Sequence, residues 1–134
     1  MILKQNFHNL KNKKMASTIP IIFFNRAVTN SLVLVAAGRV TLVGWLLQNH
    51  STAAYLKLYN AASISDVTLA STVPDKILAI PTGPGGLFFL SNEDKFQQNF
   101  NLGLVIAVVS TLTESASAPA QACSVELSYD NISQ

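Results

Sequence analysis

An all-β fold of the sandwich or barrel class is what this sequence predicts, on three observations. Short runs rich in Val, Ile, Leu, Thr and aromatic residues recur between clusters of Gly, Pro, Asn, Asp and Ser. Helical periodicity is scarce after residue 17, and the turn signals are spaced for many short strands. The length, 134 residues, is that of one domain and leaves no room for a second independent core. The chain therefore divides into a flexible basic arm over 1–17 and a single β-sandwich domain over 18–134, with about eight to ten strands.

The strands are expected near 19–24, 31–36, 39–48, 53–59, 66–70, 76–80, 86–90, 96–100, 104–111 and 122–129. The first follows Lys13-Lys14 and superficially suggests a signal peptide. Six apolar-dominated residues interrupted by Pro20 and closed by Asn25-Arg26 fall below the roughly 7–15 such a segment needs. Ala37-Gly38 can reverse the chain before the next run, where Val40–Leu47 is apolar on both faces and Trp45 can anchor the core. The stretch from Leu32 to Leu47 contains Gly38, Arg39 and Thr41 and is shorter than the roughly 20 residues of a membrane span.

A turn with Asn and Ser over 48–52 leads into 53–59. There Leu56 and Leu58 should face the core, while Tyr55, Lys57 and Tyr59 point the other way. Pro81-Thr82-Gly83-Pro84-Gly85-Gly86 reads as a strand connector; it has neither the Lys-Ser/Thr pair nor the helix start of a phosphate-cradling loop. The run 104–109 is apolar on both faces, which suits a central strand covered by the opposite sheet and by something else, such as a neighbouring subunit. Segment 114–121 is Ala, Ser and Pro with one charge, an exposed loop before the last strand.

Charge is sparse: 12% of residues against 49% hydrophobic, about half the usual charged share of roughly 25%. Such a surface suits association with another subunit or, alternatively, solvation by neutral Ser, Thr and Asn. The net charge of +2 is uneven, since Lys4, Lys11, Lys13 and Lys14 all precede the first acid, Asp66. Without them five bases stand against seven acids, a mildly acidic body of −2. The leader is either an arm for an acidic partner or a tail without a role, the latter favoured; Met15-Ala-Ser-Thr also fits a second start site.

Reactive constellations are lacking in the pattern. No Gly-x-Ser-x-Gly elbow occurs, the histidines are His8 in the arm and His50 in a turn, and the acids are scattered except Glu93-Asp94, which Lys95 follows. Cys123 is the lone cysteine, so no intrachain disulfide forms, and among apolar neighbours it reads as a small buried hydrophobe. Two Asn-x-Ser matches, at Asn49 and Asn131, carry no weight without a secretory signal. No cofactor, no enzymatic activity and no specific nucleic-acid binding are expected, because Arg26, Arg39, Lys57, Lys76 and Lys95 make no basic face with interleaved aromatics.

The run Gly38…Leu42-Val43-Gly44-Trp45-Leu46-Leu47-Gln48-Asn49, followed by Ala54-Tyr55-Leu56-Lys57-Leu58-Tyr59-Asn60-Ala61, carries a resemblance. Pro74, Ile80-Pro81, Gly85-Gly86 and Phe100…Gly103-Leu104-Val105-Ile106-Ala107 continue it, over roughly Ser31 to Tyr129. The pattern resembles small virion proteins of tailed bacteriophages. The resemblance implies a β-sandwich of jelly-roll type that decorates or cements the outer capsid surface. Such proteins often sit as trimers at capsomer junctions, which implies a homo-oligomer bound to the major capsid protein after assembly in the host cytoplasm. No catalytic residues carry over. Docking is then expected through Pro81, Gly83, Gly85 and Gly86, through Ser115 and Pro119, and through the arm lysines Lys11, Lys13 and Lys14. The alternative is a head fibre or carbohydrate-recognising module, with Tyr55 and Tyr59 forming an exposed aromatic face that stacks on sugar rings.

Overall fold

The computed structural model describes residues 20–49, 52–90, 98–112 and 116–131. The expected arm with Lys11, Lys13 and Lys14, as well as His50 and Ser115, lies outside the described residues. Nine strands form: β1 (Ile21–Val28), β2 (Val33–Ala37), β3 (Val40–Asn49), β4 (Ala54–Asn60), β5 (Lys76–Ile80), β6 (Gly83–Leu90), β7 (Gln98–Phe100), β8 (Gly103–Val109) and β9 (Cys123–Asn131).

Their antiparallel pairing is nested. β1 pairs with β9, β2 with β8, β3 with both β6 and β7, and β4 with β5. A chain paired in this way is one long hairpin. Winding the hairpin on itself adds the pairs β3·β9 and β4·β8 and divides it into two sheets. The sheet orders are β1-β9-β3-β6, with β7 beside β3 as a continuation of β6, and β2-β8-β4-β5. Two antiparallel sheets with this winding make the jelly roll.

Burial follows from the two-residue period of a strand. On β9, Cys123, Val125, Leu127 and Tyr129 are buried and alternate with Ser124, Glu126 and Ser128, which reach the outer face. They meet Leu56 and Leu58 of β4, Leu104, Ile106 and Val108 of β8, and Phe100 of β7 in one core between the sheets. Each fully buried aliphatic or Phe side chain there contributes about 1.5–3 kcal/mol. Trp45 joins this core, stacked on Phe89 of β6 with ring centroids 4.8 Å apart. Lys76 of the opposite sheet holds its Nζ 5.7 Å from the indole centroid, a cation–π contact that ties β5 to β3.

The expected turn at Ala37-Gly38 is present: Gly38 takes φ +81 and donates its amide to Leu102 O at 3.1 Å. Segment 66–70 is not a strand, against expectation. Ser63 caps a 3-10 turn over Ile64–Asp66, its hydroxyl accepting from Ser65 N, and the amides of Ser71 and Thr72 then fold back on Thr68 O. Local side-chain bonds of this kind compete with a strand ladder, and here they outweigh the β-branched Val67 and Thr68. Among the described residues no helix is long and apolar enough to cross a membrane.

Candidate interaction surface

The strand β8 is wholly buried on both faces, as its doubly apolar sequence predicts, and its outer side shows what supplies the second cover. That side carries Val105, packed with Tyr59, Ala61 and Val67 and flanked by Leu32 and Leu69 in a second apolar cluster. At this point the cover is the chain itself, and no neighbouring subunit is needed. After β4 the backbone returns across the sheet over residues 61–75, held by three contacts. Ala61 N donates to Gly103 O at 3.1 Å, Asp75 N to Leu58 O at 2.8 Å, and Asn60 N to the Asp75 carboxylate at 2.7 Å.

Tyr55 and Tyr59 therefore do not form the expected exposed aromatic face. Tyr55 is half-buried, while Tyr59 is 1% exposed beneath the returning segment, and Lys57 between them is fully buried. Alternation correctly put Leu56 and Leu58 in the core, but it cannot report what lies over the other face. The missed signal was Ser63-Ile64-Ser65-Asp66, a Ser-x-x-Asp capping pattern that marks a turn and so a chain reversal over β4.

The glycine-rich segment is also corrected. Gly83, Gly85 and Gly86 lie inside β6 and are not in a free loop, with Gly83 opposite Asn49 and Leu87 opposite Leu47. The ladder slips between Leu47 and Asn49 to admit the bulge. Gly86 sits there at φ +64, where an added Cβ would lie 2.6 Å from Leu47 O, so only glycine fits. Composition alone could not separate a bulged strand from a connector. Of the expected contact residues here, only Pro81 remains in an exposed join, with Thr82.

Strand directions bring the described residues of four connections to one end of the sandwich: 29–32, 52–53, 81–82, and 110–112 with 116–122. Pro81 and the half-buried Pro119 thus share an end. The loop carrying Pro119 is pinned by Asn30 Nδ2 to Ala116 O at 2.8 Å and by Ser110 N to Ser117 O at 3.0 Å. At the same end, buried Asn49 donates through Nδ2 to the carbonyls of Thr52 and Ile80 and ties the start of β4 to the end of β5. The described residues of these four connections are Thr, Asn, Ser, Leu, Ala, Pro and Gln, without a charge. Arg39, Asp66, Asp75 and Asp130 belong to the opposite end.

β1 supplies the surface that sequence reasoning passed over. It is the edge of its sheet, paired with β9 on one side. Phe23 packs inward against the core, while Ile22 and Phe24 point outward at 55% and 56% exposure, with Ile21 also exposed at the strand's start. An exposed aliphatic residue is ordinary, but neighbouring outward Ile and Phe on an edge strand make a candidate association surface. The signal was in Ile21-Ile22-Phe23-Phe24, where the polar half of an alternating strand is missing.

Reactive groups do not gather. Among the described residues no three His, Cys, Asp or Glu side chains are placed to hold a metal. Cys123 is buried in the core, and desolvation pushes its thiol pKa up, away from the thiolate that nucleophilic chemistry requires. Comparisons of this chain with protein-family models, with curated proteins and with solved structures each gave no match.

Proposed function

We propose that this chain is a structural virion protein that decorates or cements the outer surface of a phage capsid as a homo-oligomer and has no catalytic role. The observation that carries the reading is the outward Ile22 and Phe24 of β1, apolar side chains more than half exposed on a chain short of charge. Supporting it are the jelly roll, an architecture suited to capsid and lectin domains, and the sequence resemblance to small virion proteins of tailed phages. The partner on the shell is the major capsid protein, met by the end that holds Pro81 and Pro119, whose described connecting residues carry no charge. Bound protein bridges capsomers and raises the work needed to separate them, so affinity is its output. The sugar-stacking alternative loses its basis with Tyr59 in the interior.

The test adds purified protein to shells that lack it and follows their disruption on heating. At a hundredfold excess over Kd each occupied site adds about 2.7 kcal/mol, so the disruption temperature should rise and saturate. Shells whose disruption temperature is unchanged would refute the reading.

A further inference from the structure

Residues 62–74 leave the second sheet and come back to it at one place. Ala61 N donates to Gly103 O and Asp75 N to Leu58 O, each bond continuing a ladder of β4, and Asn60 N reaches the Asp75 carboxylate at 2.7 Å. The ends of this thirteen-residue segment are therefore pinned side by side on β4, which makes it an Ω-loop. Between the ends its described amide bonds stay within the loop. Ser65 N donates to Ser63 Oγ, Asp66 N to Ser63 O, Val67 N to Ile64 O, Thr68 N to Thr72 Oγ1, and the amides of Ser71 and Thr72 to Thr68 O. Val67 is the one buried side chain of 62–74; it packs with Tyr59 and Val105, and Leu69 lies half-buried beside it. Ala70 adds strain, at φ +74 in the left-handed region that a Cβ disfavours.

We propose that 62–74 is a switchable cover, which opens as one unit from an intact sandwich and uncovers Tyr59 and Val105. The basis is a contrast in what each part of the molecule loses on opening. Releasing β8 or β9 breaks sheet ladders and the core between the sheets, whereas the loop gives up short-range bonds, Val67 and part of Leu69. The freed backbone regains conformational entropy and strain at Ala70 is relieved, against the burial of little apolar surface. The ends need not move, because the bonds that pin them belong to β4. The cluster that the loop closes is also separate from the main core. Opening uncovers a row of side chains. Tyr59 stands opposite Val105 and Val105 opposite Leu34, so the three share the outer face across β4, β8 and β2. Leu34 is already exposed, and the closed loop withholds the other two. The cover lies on the second sheet and is independent of the decoration reading, which rests on β1 of the first.

Cys123, buried in the main core, is a built-in reporter of global opening, and Val67→Cys adds a thiol beneath the loop. In the full chain a thiol reagent should label position 67 at least about tenfold faster than Cys123, yet about tenfold or more slower than a thiol placed by Ala62→Cys at an exposed site. Urea should speed labelling at position 67 far less than at Cys123, because the loop exposes little new surface. Ile80→Val, a core change outside the loop, should raise Cys123 labelling about two- to tenfold and leave the rate at position 67 unchanged. Ala70→Gly relieves strain that both openings release, so it should slow both rates alike. Hydrogen exchange on the parent chain needs no variant. The amides of Val67, Ser71 and Thr72 should share one opening that is less protected than β8, while those of Ala61 and Asp75 at the pinned ends stay protected with the sheet. One common rate for the two thiols, a rate at position 67 that rises with Ile80→Val, or loop amides as protected as those of β8 would overturn the proposal. So would a thiol at position 67 that reacts as fast as the one at position 62, which would mean that the loop is not closed.

Discussion

Replacing Gly103 with alanine is expected to lower stability by roughly 3–5 kcal/mol, a large part of the 5–15 that holds a typical domain together. Gly103 opens β8 at φ +149, a backbone conformation that L side chains rarely adopt. An added Cβ would lie 2.5 Å from Ala61 O and 2.9 Å from Ala36 O, both main-chain atoms that cannot swing aside. Its own carbonyl receives Ala61 N, so the shift needed to admit a methyl would loosen β2 and the start of the returning segment together. Gly38→Ala is the control. It has φ +81 but open space around the new methyl, so only backbone strain of about 1–2 kcal/mol applies. Urea unfolding of the two variants beside the parent checks both values, and equal losses would contradict the steric argument.

Tyr59→Ala should cost about 3–5 kcal/mol and lower the melting temperature by roughly 10 °C or more. The ring fills the space between Ala61, Val67 and Val105, and its removal leaves a cavity under the returning segment. Tyr55→Ala, two residues earlier on the same face but half-buried, should cost clearly less. The comparison separates two ideas of this face. Were Tyr59 a solvent-facing sugar platform, its loss would leave stability within about 0.5 kcal/mol, as for most surface changes. Thermal melts of the two variants decide between them.

Much of the architecture was legible because strands write their burial at a period of two. The segments near 19–24, 31–36, 39–48, 53–59, 76–80, 86–90, 96–100, 104–111 and 122–129 all correspond to observed strands. The one segment that failed, 66–70, has β-branched residues but sits behind a Ser cap whose local bonds decide the backbone. Alternation also placed Leu56 and Leu58 correctly. What it could not give was the state of the opposite face, because Tyr59 and Lys57 are buried by a segment that returns from later in the chain. The candidate surface was legible only in part. Pro81 and Pro119 fell in exposed or half-exposed connections, but Gly83, Gly85 and Gly86 belong to a bulged strand whose pairing with β3 no local pattern records. Ile22 and Phe24 were read as strand and went no further. Their exposure depends on β1 being an edge, and edge position is set by the winding of the whole chain.

Cryo-electron microscopy of shells incubated with the protein tests the central claim, association through β surfaces at a capsid exterior, most directly. The claim predicts ordered density on the outside of the shell at capsomer junctions that accepts this jelly roll, with the end that holds Pro81 and Pro119 against the capsid. A shell bare of such density after saturating incubation would contradict it.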